Sequence, residues 1–212
     1  MPTDVLENVF WGGARYVDVN RLMPKLFDAS RQLKDGWADI VMDECGLTAD
    51  STPSVIGGWS TGAKIAYAVA QACHPKKLIL LAATPCFCRN DTVNFGTRPA
   101  VIDQMISGLD KDKDAVLNTF YERCGLEYDP SAIPDYTIDE LSCGLEFLKQ
   151  ADLHPLSLSR TVPVFFHGAD DQIIPISASK YFCEQVGGEH IEVGGNHAFF
   201  IKHRIPPEGG TF

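Results

Sequence analysis

Ser60 lies in the run Val55-Ile56-Gly57-Gly58-Trp59-Ser60-Thr61-Gly62-Ala63-Lys64-Ile65-Ala66. An apolar stretch leads into Gly-Trp-Ser-Thr-Gly, and a segment rich in small residues follows. A serine on a sharp strand-to-helix turn is held exposed in a strained pose, and this order of elements builds such a turn. The backbone N–H of the next residue, Thr61, then points to where an oxyanion would form. Chance alone also produces Gly-x-Ser-x-Gly, so the remainder of the chain must supply a base and an acid.

A serine hydroxyl is a poor nucleophile near neutral pH. It needs a neighbouring base, usually histidine, and a carboxylate that fixes the tautomer of that histidine. Of the six histidines, His197 follows Gly194-Gly195-Asn196 just after the last expected strand. That places it over the end of a sheet. His167 sits inside an apolar strand and reads as a core histidine. His74 reads as a helix end, and His190 and His203 lack supporting context. The carboxylate is sought after Val162-Pro163-Val164-Phe165-Phe166-His167, in Gly168-Ala169-Asp170-Asp171-Gln172-Ile173-Ile174-Pro175. Asp171 is better placed than Asp170, because Gln-Ile-Ile-Pro turns back into apolar contact and would hold it. Asp170 remains the alternative. A second oxyanion donor is expected after the first strand, in Phe10-Trp11-Gly12-Gly13. Trp11 N–H is the first candidate there and Gly12 the second, since glycine lets backbone approach a ligand closely.

These residues need elements to position them. Strands are expected at 5–11, 38–42, 54–58, 77–83, 162–167 and 190–193. Helices are expected at 21–33, 62–73 and 177–186. The continuous apolar run Lys77-Leu78-Ile79-Leu80-Leu81-Ala82-Ala83 fits a strand covered on both faces. Alternation of strand and helix implies an α/β fold with a doubly wound, mostly parallel sheet. From 86 to 152 no such strand occurs. Helical stretches at 100–109, 114–124 and 138–150 read instead as a helical lid inserted between two strands, with Pro130 and Pro134 separating the last two. The core is then 1–85 and 153–212. Acidic residues outnumber basic ones in the lid.

The 212 residues, 45% of them hydrophobic, suffice for one domain with a sizeable core. The net charge of −10 argues against nucleic acid or an anionic membrane as partner. The seven cysteines have no metal-site spacing, and Cys86-Phe87-Cys88 has no second pair. Neither a signal peptide nor a spanning segment is legible. Free thiols in the reducing cytoplasm are the expectation, with no metal and no cofactor.

From about Val5 to His203 the chain resembles the α/β-hydrolases, whose compact fold carries nucleophile, acid and base in the order Ser60, Asp171, His197. Within them it is most similar to the pimeloyl-acyl-carrier-protein methyl ester esterases of biotin synthesis. That likeness rests on Gly58-Trp59-Ser60-Thr61-Gly62 and Thr84-Pro85-Cys86-Phe87. It also rests on Leu141-Ser142-Cys143-Gly144-Leu145-Glu146-Phe147-Leu148-Lys149 with Ala151-Asp152-Leu153, and on Gly194-Gly195-Asn196-His197-Ala198-Phe199-Phe200-Ile201. The resemblance implies Ser60 as nucleophile, Asp171 as orienting acid and His197 as base. It implies Trp11 and Thr61 at the ester carbonyl. It places the substrate-contacting lid helix at Phe120-Tyr121-Glu122-Arg123-Cys124.

The expected activity is that of a serine carboxylesterase on the methyl ester of a carrier-bound pimeloyl chain, with acyl carrier protein as partner. Three features depart from the family. Only about a dozen residues separate the expected strand ending near Met42 from the Ser60 strand, so no helix is expected between them, and the C-terminal stretch does not read as a closing helix. Bare sheet edges of that kind invite a homodimer. The lid is acidic where family members meet the acidic carrier with basic residues. That favours the alternative of a general short-acyl esterase or thioesterase with the same triad. A non-catalytic hydrolase-fold binding protein is the third reading.

Overall fold

The computed structural model describes residues 9–12, 15–32, 36–153 and 160–203. The start of the first expected strand, Gly13, Leu33, His154 and the stretch after His203 lie outside the described residues. So do the side chains of Trp11 and His203.

Among the described residues, six strands form one sheet in the order β2-β1-β3-β4-β5-β6. They are β1 (Val9–Gly12), β2 (Arg15–Asp18), β3 (Ile56–Trp59), β4 (Leu78–Leu81), β5 (Pro163–Gly168) and β6 (Glu189–Val193). The last four run parallel, while β1 is antiparallel to both β2 and β3. Parallel neighbours need crossovers, and right-handed crossovers in one direction stack their helices on one face. Accordingly α3 (Thr61–Ala72) packs on β3 and β4, and α7 (Ile176–Val186) packs on β5 and β6.

The apolar run of β4 shows the two-residue period of a strand buried on both sides. Leu78 and Leu80 join the main core with Tyr67, Phe165 and Phe182. Ile79 and Leu81 face the opposite cluster with Trp59, Phe166 and Phe199.

Residues 38–42 are a correction to the sequence reading. They form helix α2 (Trp37–Cys45), not a strand. The reason lies in the periodicity. Ala38, Val41, Met42 and Cys45 recur at helical spacing, all four are buried, and α2 lays this face on α3. The five residues Ala38-Asp39-Ile40-Val41-Met42, taken alone, conceal that period. The preceding helix α1 (Val19–Gln32) buries Leu22, Met23 and Leu26 in the same core.

Between β4 and β5 the described residues form three helices, α4 (Pro99–Leu109), α5 (Lys113–Cys124) and α6 (Ile138–Gln150). Asp112 caps α5 through Ala115 N–H, and Thr137 and Glu140 form a reciprocal capping box at the start of α6. Helix α6 packs against α1, buries Phe147 in the main core, and is tied to α1 by the Arg21–Glu140 ion pair at 2.9 Å. A short helix, α8 (Phe199–His203), ends the described chain. None of the seven cysteines forms a disulfide. No helix among the described residues is long and apolar enough to cross a membrane, and none of their side-chain clusters could hold a metal.

Lys64 is fully buried in α3, where its ammonium donates to the Ala151 carbonyl. Burial pulls its pKa down to about 8, only partly offset by Asp152. Between that value and the ordinary 10.5, the unfolded chain binds a proton that the folded chain does not. Stability therefore rises with pH across this window. Below pH 8 the lysine lowers stability by about 3 kcal/mol relative to its neutral form. Lys64→Met is expected to raise the urea midpoint at pH 7, by on the order of 1–3 kcal/mol in stability once the lost hydrogen bond is counted. That advantage should shrink as pH climbs from 8 to 10. An advantage constant with pH would contradict a titrating buried lysine.

Candidate active site

Ser60 follows the last residue of β3 and caps the N-terminus of α3, with φ 56° and ψ −120°. A non-glycine residue held there stores strain of about 1–3 kcal/mol. The surroundings enforce it. Ser60 N–H donates to the Leu81 carbonyl at 2.9 Å, and its own carbonyl accepts from Ala63 at 3.0 Å. A Cβ on Gly58 would run into the Gly62 carbonyl and the Ala63 nitrogen, so strand and helix close on each other only over a bare glycine. The turn leaves Ser60 8% exposed beside the first N–H groups of α3, beginning with Thr61. A helix N-terminus favours negative charge at that position.

His197 stands on the loop between β6 and α8 and is fully buried. This loop is held over the ends of β5 and β3. The Gly195 and Asn196 carbonyls lie against Gly168, where any side chain would collide with them. The Trp59 indole N–H donates to the His197 carbonyl at 3.0 Å, and the two rings meet at 5.2 Å. The residue before the serine thus anchors the histidine.

Asp171 Oδ2 lies 2.7 Å from His197 Nδ1. Its other oxygen, Oδ1, accepts from Ile173 N–H at 2.8 Å and Ile174 N–H at 2.9 Å. These two amides come from the Gln-Ile-Ile segment that turns back after the aspartate. The carboxylate is fully buried, whereas Asp170 is exposed and its N–H caps the Gly195 carbonyl. Burial opposes ionisation of Asp171. The charge-favouring contacts outweigh it, namely His197, His167 and the Ile174 amide, and they hold the carboxyl well below the usual range. His197 Nε2 is buried and has no hydrogen-bond partner among the described residues, and no hydrogen bond joins it to Ser60.

A cavity of about 460 Å³ opens at Ser60 and Thr61. Its walls are mainly apolar, with Ile102 from α4, Leu145 from α6 and Met23 from α1. Phe120 and Arg123 of α5 also line it, and Gln172 and Ile173 border it beside Asp171. Tyr121 and Cys124 of α5 are buried and are not among the residues lining this cavity. Tyr121 meets Tyr128, and Cys124 packs with Trp59 and Phe199. This size and apolar character suit an organic chain with a few polar anchors.

Trp11 and Gly12 stand elsewhere. Trp11 lies opposite Gly57 and Gly12 opposite Ile56. Because β1 runs antiparallel to β3, each step along β1 leads away from Ser60. In this register neither residue lies opposite Ser60. The sequence reading missed Trp59 as an anchor of the histidine and His167 as a neighbour of Asp171. The signal for His167 was its spacing, four residues before the aspartate at the end of the same strand.

No family model matches the chain. A pimeloyl-acyl-carrier-protein methyl ester esterase from Pectobacterium atrosepticum is 30% identical over 174 residues, covering 74% of this chain and 68% of its own. One of the same name from Pseudoalteromonas atlantica is 27% identical, over 89% of this chain and 78% of its own. Among solved structures, an esterase from Exiguobacterium antarcticum superposes with a TM-score of 0.67 at 22% identity, covering 82% of this chain and 70% of that one. With this likeness to relatives and this sheet beneath the serine turn, the chain belongs to the pimeloyl-acyl-carrier-protein methyl ester esterase family of α/β-hydrolases.

Proposed function

We propose that the protein is a serine carboxylesterase in which Ser60 is the nucleophile, His197 the base and Asp171 the group that orients the base. The observation that carries this reading is the 2.7 Å contact of Asp171 with His197 Nδ1, which leaves Nε2 buried and without a hydrogen-bond partner among the described residues. With Nδ1–H directed at the carboxylate, Nε2 is the proton acceptor. It takes the Ser60 proton as Oγ attacks the ester carbonyl, while the Thr61 N–H and the α3 terminus offset the charge on the carbonyl oxygen. The imidazolium returns the proton to the departing alcohol. Water then repeats the cycle on the acyl-enzyme, releasing the acid and restoring Ser60. No metal or cofactor enters any step.

The substrate we assign is the methyl ester of a pimeloyl chain carried by acyl carrier protein. The named activity of the relatives and the mainly apolar cavity support this. We assign contact with the chain to Phe120 and Arg123, two of the α5 residues that line the cavity, and the role of a lid to α4 to α6. A cytoplasmic location fits such a substrate. One observation favours a second reading, a general short-acyl esterase. Two lid cations, Lys113 and Lys149, are tied to Asp135 and Asp103, so less positive charge is left for an acidic carrier. Methanol release from methyl-pimeloyl carrier protein, set against hydrolysis of p-nitrophenyl acetate, separates the two. We expect kcat/KM for the carrier ester to be at least tenfold higher, and rescue of a biotin auxotroph lacking its own esterase. Equal or lower kcat/KM for the carrier ester would establish the general esterase instead.

A further inference from the structure

Asp171 Oδ2 has a second histidine beside it. His167 Nε2 lies 3.3 Å from this oxygen and 2.9 Å from the Ile174 carbonyl. His167 is fully buried near the end of β5, and its Nδ1 has no hydrogen-bond partner among the described residues. Both neighbours of Nε2 are acceptors, so Nε2 carries the hydrogen and points it into the fork between them. Ile174 closes a ring, because its N–H donates to Asp171 Oδ1 while its carbonyl accepts from His167. The aspartate is gripped on one oxygen by two backbone amides and on the other by two imidazoles.

We propose that His167 is a positioning residue for the esterase reaction, acting through Asp171 on the basicity of His197. The proposal rests on the reading of Ser60, Asp171 and His197 given above. A carboxylate oxygen shared between two N–H groups gives less of its charge to each. While His167 leans on Oδ2, the aspartate stabilises the imidazolium of His197 less than it would alone. His167 also blocks rotation of the carboxylate about its Cβ–Cγ bond, so Oδ2 stays aimed at Nδ1.

The groups facing His167 are few. On β6, Glu192 pairs with it in register and the His190 ring stacks at 6.4 Å. On α7, Ser179 holds His190 at 3.2 Å and Lys180 pairs with Glu192 at 3.1 Å. Burial lowers the pKa of His190, with His167 and Lys180 adding to the effect. Asp171 Oδ2 lies within reach of both His167 Nε2 and His197 Nδ1, so the effect on the base passes through that carboxylate.

The test is the pH dependence of kcat/KM on p-nitrophenyl acetate for wild type, His167→Leu, His167→Gln and Asp171→Ala. Removing the Nε2 donor leaves Oδ2 wholly to His197. His167→Leu should therefore move the acid limb up by roughly half a unit to one unit, with kcat down about tenfold and KM unchanged. His167→Gln, whose side-chain amide can occupy the place of Nε2, should return the limb toward wild type. A merely structural role would lower activity without moving the limb. Should His167→Leu fail to unfold cooperatively, His167→Asn replaces it, since its shorter amide stops short of Asp171 and predicts the same shift. An unmoved limb in both, with Asp171→Ala inactive, would overturn the role of His167 and leave the triad standing. Full activity in Asp171→Ala would overturn the triad reading itself.

Discussion

Asp171→Asn is expected to lower kcat by about 10³- to 10⁴-fold with little change in KM. The Ile173 and Ile174 amides fix the outcome, because they require an acceptor at the Oδ1 position. The new amide must keep its oxygen there and turn its nitrogen toward His197. A donor then faces Nδ1, and the imidazole adopts the tautomer with hydrogen on Nε2. That nitrogen can no longer accept the Ser60 proton. The same substitution should lower stability at pH 7. The folded carboxyl is held below its ordinary pKa, so its contribution is present above about pH 4 and lost as pH falls through the folded value. The stability gap between wild type and variant should therefore close in acid. Near-normal kcat in Asp171→Asn would mean that the carboxylate does not set the tautomer.

Gly58→Ala should be the most damaging small substitution in the core. Its methyl group would occupy the space of the Gly62 carbonyl and the Ala63 nitrogen, both of them backbone atoms that no rotamer change can move. Accommodating it means opening the strand-to-helix turn or shifting α3 against β3. We expect a loss of more than about 3 kcal/mol, read as a lower urea midpoint at unchanged slope. Whatever protein still folds should have lost the esterase activity, since the serine rides on this turn. An unchanged midpoint would mean that strand and helix do not close as described.

What could be read from the sequence follows from how local each signal is. The Ser60 turn is a five-residue pattern between an apolar strand and a helix of small residues, and all its requirements lie within Gly57 to Ala66. The strand at Leu78–Leu81 and the helices α4 to α6 are legible for the same reason, since their apolar content sits inside each segment. Ala38–Met42 misled because five residues cover little more than one helical turn. The period appears only when Cys45 is included. The direction of β1 could not be read at all. It depends on which strand β1 pairs with, and β2 follows so closely that a hairpin competes with a crossover. His167 read as core because its strand is apolar, and it is indeed fully buried. Its proximity to Asp171 arises from the turn at Ile174, which brings a carbonyl back beneath the imidazole.

The chemistry narrows to one hydroxyl. A fluorophosphonate probe reacts with a serine only when a base takes its proton and an oxyanion site receives the phosphoryl oxygen. One label per chain is expected, carried by the peptide containing Ser60, with labelling and p-nitrophenyl acetate hydrolysis both lost in Ser60→Ala. A chain that takes no label, takes it on another residue, or hydrolyses ester as fast with alanine at position 60 would contradict this role of Ser60.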